Sequence, residues 1–201
     1  MCPGGFMVPS ATSPEEVVVN GMSPSRRNSR WANSGIVTEI REEDALRYGS
    51  GPLSGIEYQS ALERLSWLEG GMTQRAPAQR LTDFVEGRAS SSLPAGSYFP
   101  GLTPSPLHDW LPADISVRLR EGFREFGRKM RGYLTGEALV AAVESRTSSP
   151  VRVLRDQVML HAEGIEGLWP AGEGAGYAGG IVSSAVDGML VTQAIIRKYS
   201  K

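Results

Sequence analysis

Along the chain, apolar positions come first in short runs, then at helical spacing, then in short runs again before a final helix. Val17-Val18-Val19 is a β-branched run bounded by Pro14 and by the turn pair Asn20-Gly21, and Ile36-Val37-Thr38-Glu39-Ile40 is a second strand candidate. Residues 1–40 therefore predict a β-rich segment. It carries a polar, basic loop, Ser23-Pro24-Ser25-Arg26-Arg27-Asn28-Ser29-Arg30, and is followed by a loop over 41–53. Over 54–70, Tyr58, Leu62, Leu65 and Leu68 make one apolar stripe, Ser54 and Glu57 have the spacing of a capping box, and Gly70-Gly71 stops the helix. A short second helix is expected over 77–86, with Leu81, Phe84 and Val85 on one face. From 88 to 112 Ser, Pro and Gly dominate, but Tyr98, Phe99, Leu102, Leu107 and Trp110 supply anchors for an ordered loop. Leu119, Phe123, Phe126 and Met130 predict a helix over 113–131. Residues 139–143 read as strand or helix, and Val151-Arg152-Val153-Leu154 as a strand. The last helix covers 181–198, with Val182, Ala185, Val186, Met189, Leu190 and Ala194 along one side and Arg197 and Lys198 at its negative end.

Composition narrows the function classes. The chain has 201 residues, 40% apolar and 21% charged, which suits one large or two small globular domains. Net charge is −1, so bulk charge points to neither nucleic acid nor a membrane surface. No apolar run reaches the length of a membrane span, and the first residues lack a signal peptide pattern. One cysteine, Cys2, excludes an internal disulfide, and with two histidines, His108 and His161, no metal-ligand spacing is present. A cytoplasmic location follows as an expectation. The basic face of the 113–131 helix reads as solvated rather than as a partner surface.

Glycine is where the chemistry concentrates. Of 24 glycines, several cluster in Gly172-Glu173-Gly174-Ala175-Gly176-Tyr177-Ala178-Gly179-Gly180-Ile181. Gly174, Gly176 and Gly179 match G-x-G-x-x-G literally. A dinucleotide-binding first turn is excluded, because the preceding strand is short and contains Pro170. No second strand or acidic residue is expected at the required distance. What remains is a glycine loop running into a helix, whose free N–H groups favour a negative or electron-rich partner. Glu173 is placed to accept hydrogen bonds from ribityl or ribose hydroxyls. Close helix–strand packing without a ligand is the competing explanation.

This segment resembles the C-terminal flavin segment of the uncharacterised FAD-dependent dehydrogenases, within the NAD(P)/FAD-dependent oxidoreductases. The likeness runs through Pro170 to Ile181 and on to Ala185, Asp187 and Gly188. It extends to Met1-Cys2-Pro3-Gly4-Gly5, to Asn20-Gly21-Met22-Ser23 with Arg27-Asn28 and Ala32-Asn33-Ser34-Gly35-Ile36-Val37, and to Glu144-Ser145-Arg146-Thr147-Ser148-Ser149-Pro150. Family members carry an upstream glycine-rich loop for the FAD pyrophosphate, which these residues lack. The resemblance thus implies an α+β fragment of an α/β flavoprotein: a β-rich substrate domain with a helical insert, and a C-terminal glycine loop and helix that rejoin the FAD domain. It implies a substrate and cap domain over 1–160, β-rich at 1–40 and 138–160 with the helical insert at 54–131, and a flavin-contacting part over 161–201.

The implied cofactor is FAD, with NAD(P) as electron partner, and the implied chemistry is hydride transfer through the flavin to or from a small-molecule substrate. Its partner would be the missing N-terminal FAD-binding region. Gly172, Glu173, Gly174, Gly176, Tyr177, Gly179, Gly180 and Ile181 are the cofactor-binding candidates. Arg146, Ser148 and Cys2 are candidates for substrate or cofactor contact, Arg146 because a guanidinium holds a carboxylate bidentately. Arg26, Arg27 and Arg30 could meet a phosphate or an acidic substrate. No catalytic acid or base can be named from the residues. A non-catalytic interaction module and a flavin-dependent hydroxylase remain the alternatives.

Overall fold

The computed structural model describes residues 2–200 and divides the chain into two units, residues 1–41 with 60–145, and residues 42–59 with 146–201. The elements, in chain order, are β1 (Cys2–Pro3), β2 (Phe6–Pro9), β3 (Val19–Met22), β4 (Ala32–Asn33), α1 (Glu42–Ala45), α2 (Ser54–Glu69), β5 (Ala76–Arg80) and α3 (Leu81–Glu86). They continue with β6 (Leu102–Pro104), α4 (Leu107–Trp110), α5 (Ala113–Lys129), β7 (Leu139–Ala141) and α6 (Ile181–Tyr199). The architecture is α+β.

In the first unit β1 pairs with β4 and β2 with β3, both antiparallel, while β5 is the centre of a three-stranded sheet, parallel to β6 and antiparallel to β7. β5 is Ala-Pro-Ala-Gln-Arg, and its first four residues are buried. Small side chains at Ala76 and Ala78, both fully buried, let a central strand sit close to what covers it. One core gathers Leu81, Phe84, Val85, Leu107 and Phe123 from α3, α4 and α5, with Leu111 just after α4. Phe84 and Phe123 meet edge to face, with ring centroids 6.0 Å apart. A second core joins Val17, Val19, Ala76 and Tyr98, with Trp67 against it.

The basic residues of α5 are largely engaged. Arg120 Nε and Arg124 Nη2 both donate to the Val85 carbonyl, at 3.1 and 2.6 Å, where the last turn of α3 leaves acceptors free. Arg118 pairs with Asp114, and Arg128 and Lys129 pair with Glu125. The face read as solvated is in part a set of ties within its own unit.

Several expected elements differ. Of the Val17–Val19 run only Val19 is in a strand, and Asn20-Gly21 lies within β3, paired with β2, rather than at a turn; α1 falls in the loop expected over 41–53, and β6 and α4 in the one expected over 88–112. The helix expected at 77–86 is a strand followed by a helix, β5 and α3, since residues 76–80 find two strand partners. Residues 36–40 form no strand; Ile36 packs on the first core, and Arg118 Nη1 donates to the Glu39 carbonyl at 2.7 Å. Residues 151–154 also form no strand, for the reason given below. On α2 the buried side includes Glu63 and Ser66 besides Tyr58 and Leu62, while Leu68 is exposed.

Candidate functional site

The site lies in the second unit and begins with residues 149–155. Residues 149–153 bond to the turn at 172–177, while Leu154 and Arg155 pair with residues 162–163 in an isolated antiparallel bridge. Ser149 Oγ donates to the carbonyls of Val151 (2.9 Å) and Gly174 (3.3 Å). Val153 N–H donates to the Ala175 carbonyl at 3.1 Å, and Arg152 Nε to the Gly176 carbonyl at 3.0 Å. Tyr177 returns the contact, donating its hydroxyl to the Val153 carbonyl at 3.0 Å. The turn closes on itself through Gly176 N–H to Glu173 O and Tyr177 N–H to Gly172 O, at 2.9 and 3.0 Å.

An ion pair holds this turn to α6. Arg155 Nη2 and Nη1 donate to Asp187 Oδ1 and Oδ2 at 2.6 and 3.0 Å, and both side chains are nearly buried. The same carboxylate accepts Gly172 N–H at 2.8 Å, and Arg155 Nη1 also donates to the Pro170 carbonyl at 2.7 Å. The guanidinium lies 3.6 Å from the centroid of the Tyr177 ring, a cation–π distance. Arg155's hydrogen bond to the carboxylate, joined by the Gly172 N–H, holds Asp187 below the usual carboxylate range against the opposing effect of burial.

Beyond the turn the chain opens. Gly180 is extended, at φ −167°, and gives α6 no side-chain cap; the first turn of α6 has no acidic residue. The first intrahelical bond runs from Ser184 N–H to the Gly180 carbonyl at 2.9 Å, so the N–H groups at Ile181, Val182 and Ser183 come before the first intrahelical donor and point outward from the helix start. Ile181 is 91% exposed and Val182 77%. Gly174 and Gly179 have nothing within 4 Å of where a Cβ would stand, and neither has a positive φ.

α6 turns its apolar side away from its own unit. Asp187, Val191 and Ala194 are its buried residues, whereas Val182, Val186, Met189, Leu190 and Ile196 are exposed. Of the apolar positions read along one side of this helix, only Ala194 faces inward. This 19-residue helix therefore presents a wide exposed apolar face.

The cofactor-binding candidates from Gly172 to Ile181 thus fall in one place, as a turn and the helix start after it. Glu173 contributes its backbone carbonyl to the turn, and its side chain is half-buried. Ser149, rather than the exposed Ser148, reaches the glycine turn. Arg146 is half-buried and bonded to neighbours. The Cys2 side chain lies outside the described part of the molecule. His108 is held by Gln79, at 2.9 and 3.2 Å, and by Asp109 at 3.2 Å, a packing role; His161 meets the Ala162 carbonyl at 3.0 Å. Arg152, Arg155 and Asp187 were not singled out as site residues by sequence. Arg155 and Asp187 stand 32 positions apart with no local pattern to link them. Among the described residues no group of three His, Cys, Asp or Glu could hold a metal ion, and no helix is long and apolar enough to cross a membrane.

Over residues 1–147 the chain matches the family model described as FAD-dependent protein, C-terminal domain-like, and it belongs to that family. The glycine turn lies beyond the matched residues. The chain is also 41% identical over 201 residues to an uncharacterized protein of Clostridium beijerinckii. That match covers 99% of this chain and 37% of the relative, so the chain spans little more than a third of the relative's length.

Proposed function

We propose that this chain is the C-terminal part of an FAD-dependent oxidoreductase, and that its turn at 172–180 and the start of α6 meet the flavin. The observation that carries this reading is the uncapped start of α6 beside two glycines that nothing in the chain requires. Gly174 and Gly179 have room for a methyl group and no positive φ that would call for glycine. A ligand passing close to the backbone accounts for their lack of side chains. The residues fit the group: backbone N–H donors at Ile181, Val182 and Ser183 suit the electron-rich pyrimidine edge of a flavin, where negative charge develops on reduction. Gly172, Glu173, Gly174, Gly176, Tyr177, Gly179, Gly180 and Ile181 would line it.

When bound, the flavin supplies hydride transfer. This chain's residues orient it, stabilise charge at one edge and exclude water. In this reading residues 161–201 are the flavin-contacting part, lying on the bed formed by 149–155, and residues 1–160 carry the substrate and cap region. The exposed side of α6 packs on an N-terminal FAD-binding region of the kind the relative's greater length has room for. The family description and the partial coverage of the relative support this arrangement. NAD(P) as electron partner is carried by the resemblance alone.

The test is flavin content. The full-length Clostridium relative is expected to purify with bound flavin, absorbing near ~450 nm, or to take up added FAD. A relative that neither carries flavin nor can be reconstituted with it removes the enzyme reading and leaves a non-catalytic interaction module.

A further inference from the structure

A buried ion pair is an expensive way to hold two segments together. Removing both charges from water costs several kcal/mol per ion, and an apolar pair of similar volume often serves stability as well or better. The Arg155–Asp187 pair makes contacts that an apolar pair cannot. Asp187 Oδ2 accepts both Gly172 N–H and Arg155 Nη1, and Nη1 also reaches the Pro170 carbonyl. The guanidinium face covers Tyr177. One carboxylate on α6 thereby fixes the entrance of the glycine turn at Gly172, and the cation it binds fixes Pro170 before it and Tyr177 at the exit. Asp187 sits on the inward side of α6, more than a turn from Ile181, so it holds the turn without crowding the open helix start.

We infer that Asp187 and Arg155 are positioning residues for the flavin: they hold residues 170–177 in the one shape that leaves the N–H groups at the start of α6 open to the cofactor. This rests on the flavin reading above. The pair touches no ligand itself; it acts through Gly172 and Tyr177. Lysine in place of Arg155 would keep the charge but lose the two parallel bonds, the Pro170 contact and the planar face over Tyr177.

The experiment compares wild type with Asp187→Asn, Asp187→Glu, Arg155→Lys and the apolar double variant Arg155→Met/Asp187→Leu. Two quantities are read. Amide exchange at Gly172 and Tyr177 is measured in the chain itself. FAD affinity, from quenching of flavin fluorescence, is measured with the chain alone and mixed with the rest of the Clostridium relative.

Asp187→Asn and Arg155→Lys are expected to speed exchange at both amides and to weaken FAD binding about tenfold, the size of one lost charge-assisted hydrogen bond. Asp187→Glu regains part of that affinity. The apolar double variant keeps the wild-type melting temperature yet binds FAD as poorly as Asp187→Asn, which a purely structural role would not produce. If wild type binds FAD and the double variant binds it within about twofold, the positioning role is overturned while the flavin reading stands. If wild type takes up no FAD in either form, the flavin reading falls and the positioning role with it.

Discussion

The carbonyl oxygen of Val151 stands 2.5 Å from where a Cβ on Gly176 would lie, and the Arg152 Cα stands 2.9 Å from it. Gly176 also has φ +83°. Backbone is therefore packed directly on backbone where the 149–155 stretch crosses the glycine turn. Gly176→Ala would meet both the left-handed penalty and the collision, and is expected to destabilise the chain by about 2–3 kcal/mol. Gly174→Ala, two residues earlier, meets nothing and is expected to change stability by less than ~0.5 kcal/mol. Denaturant titration of the two variants checks the contrast, and equal effects would mean the turn is not held by this crossing.

Gly174 and Gly179 together separate structure from function. If the open glycines serve a ligand, Gly174→Ala and Gly179→Ala leave the melting curve alone and still lower flavin uptake by the reconstituted protein. Side-by-side thermal melts and FAD titrations read the two effects. Unchanged flavin affinity in both variants would place the cofactor elsewhere.

Acid stability follows from two carboxylates. Asp187 is held low first by Arg155, and Asp83 first by the Ser90 hydroxyl and then by Arg88. A carboxylate whose pKa is lower in the folded state adds stability that is fully present above its unfolded value, about 3.9. That stability is lost as pH falls from there through the folded value. Asp83→Asn and Asp187→Asn should therefore each destabilise the chain at neutral pH and each lose less stability than wild type between about pH 4 and the acid limit. Denaturation midpoints as a function of pH test this; wild-type-like pH dependence in both variants would show that these ties are not formed in solution.

Glu144 behaves oppositely. Burial raises its pKa, with the carboxylate set against the Gly35 backbone, 2.9 Å from a Cβ position there. A carboxyl with a raised folded pKa favours the folded state below its unfolded value, near ~4.3, and that contribution is lost as pH rises through the folded value. Glu144→Gln removes the penalty of ionising in a half-buried place. It is expected to raise the melting temperature at neutral pH and to leave it unchanged near pH ~4. A lower melting temperature at neutral pH would mean the ionised form makes a needed contact.

These outcomes also show what the sequence could convey. α2, α5 and α6 were legible because each repeats apolar residues at helical spacing over many residues. β5 was not, because Ala-Pro-Ala-Gln-Arg has no β-branched or aromatic residue and its strand character comes from β6 and β7, which are distant in sequence. Residues 36–40 and 151–154 do carry β-branched residues, but extended backbone becomes strand only with a partner, and theirs are an arginine side chain and a glycine turn. The glycine turn was visible as a motif. The Arg155–Asp187 pair that shapes it was not, because ion pairing across 32 residues leaves no periodic trace. Which side of α6 faces solvent was also hidden: hydrophobic pattern reports that a face is to be buried, not against what.

That exposed side of α6 supports the last prediction. Val186 is 50% exposed and Met189 63%, and neither is among the buried residues that tie α6 to its own unit. Charged substitutions there, Val186→Lys or Met189→Glu, remove no contact within the described residues' cores and are expected to change stability by less than ~0.5 kcal/mol. They break up an exposed apolar patch, so the purified chain should self-associate less. If the patch is the seat of an FAD-binding region, the same variants should lose binding to the rest of the Clostridium relative while Ala89→Lys, exposed in the other unit, should not. Sedimentation of the chain alone and pull-down with the relative's remainder give the two readings. A Met189→Glu chain that unfolds would show that this side of α6 is packed within the chain. A chain that still binds the remainder would show that docking uses another face.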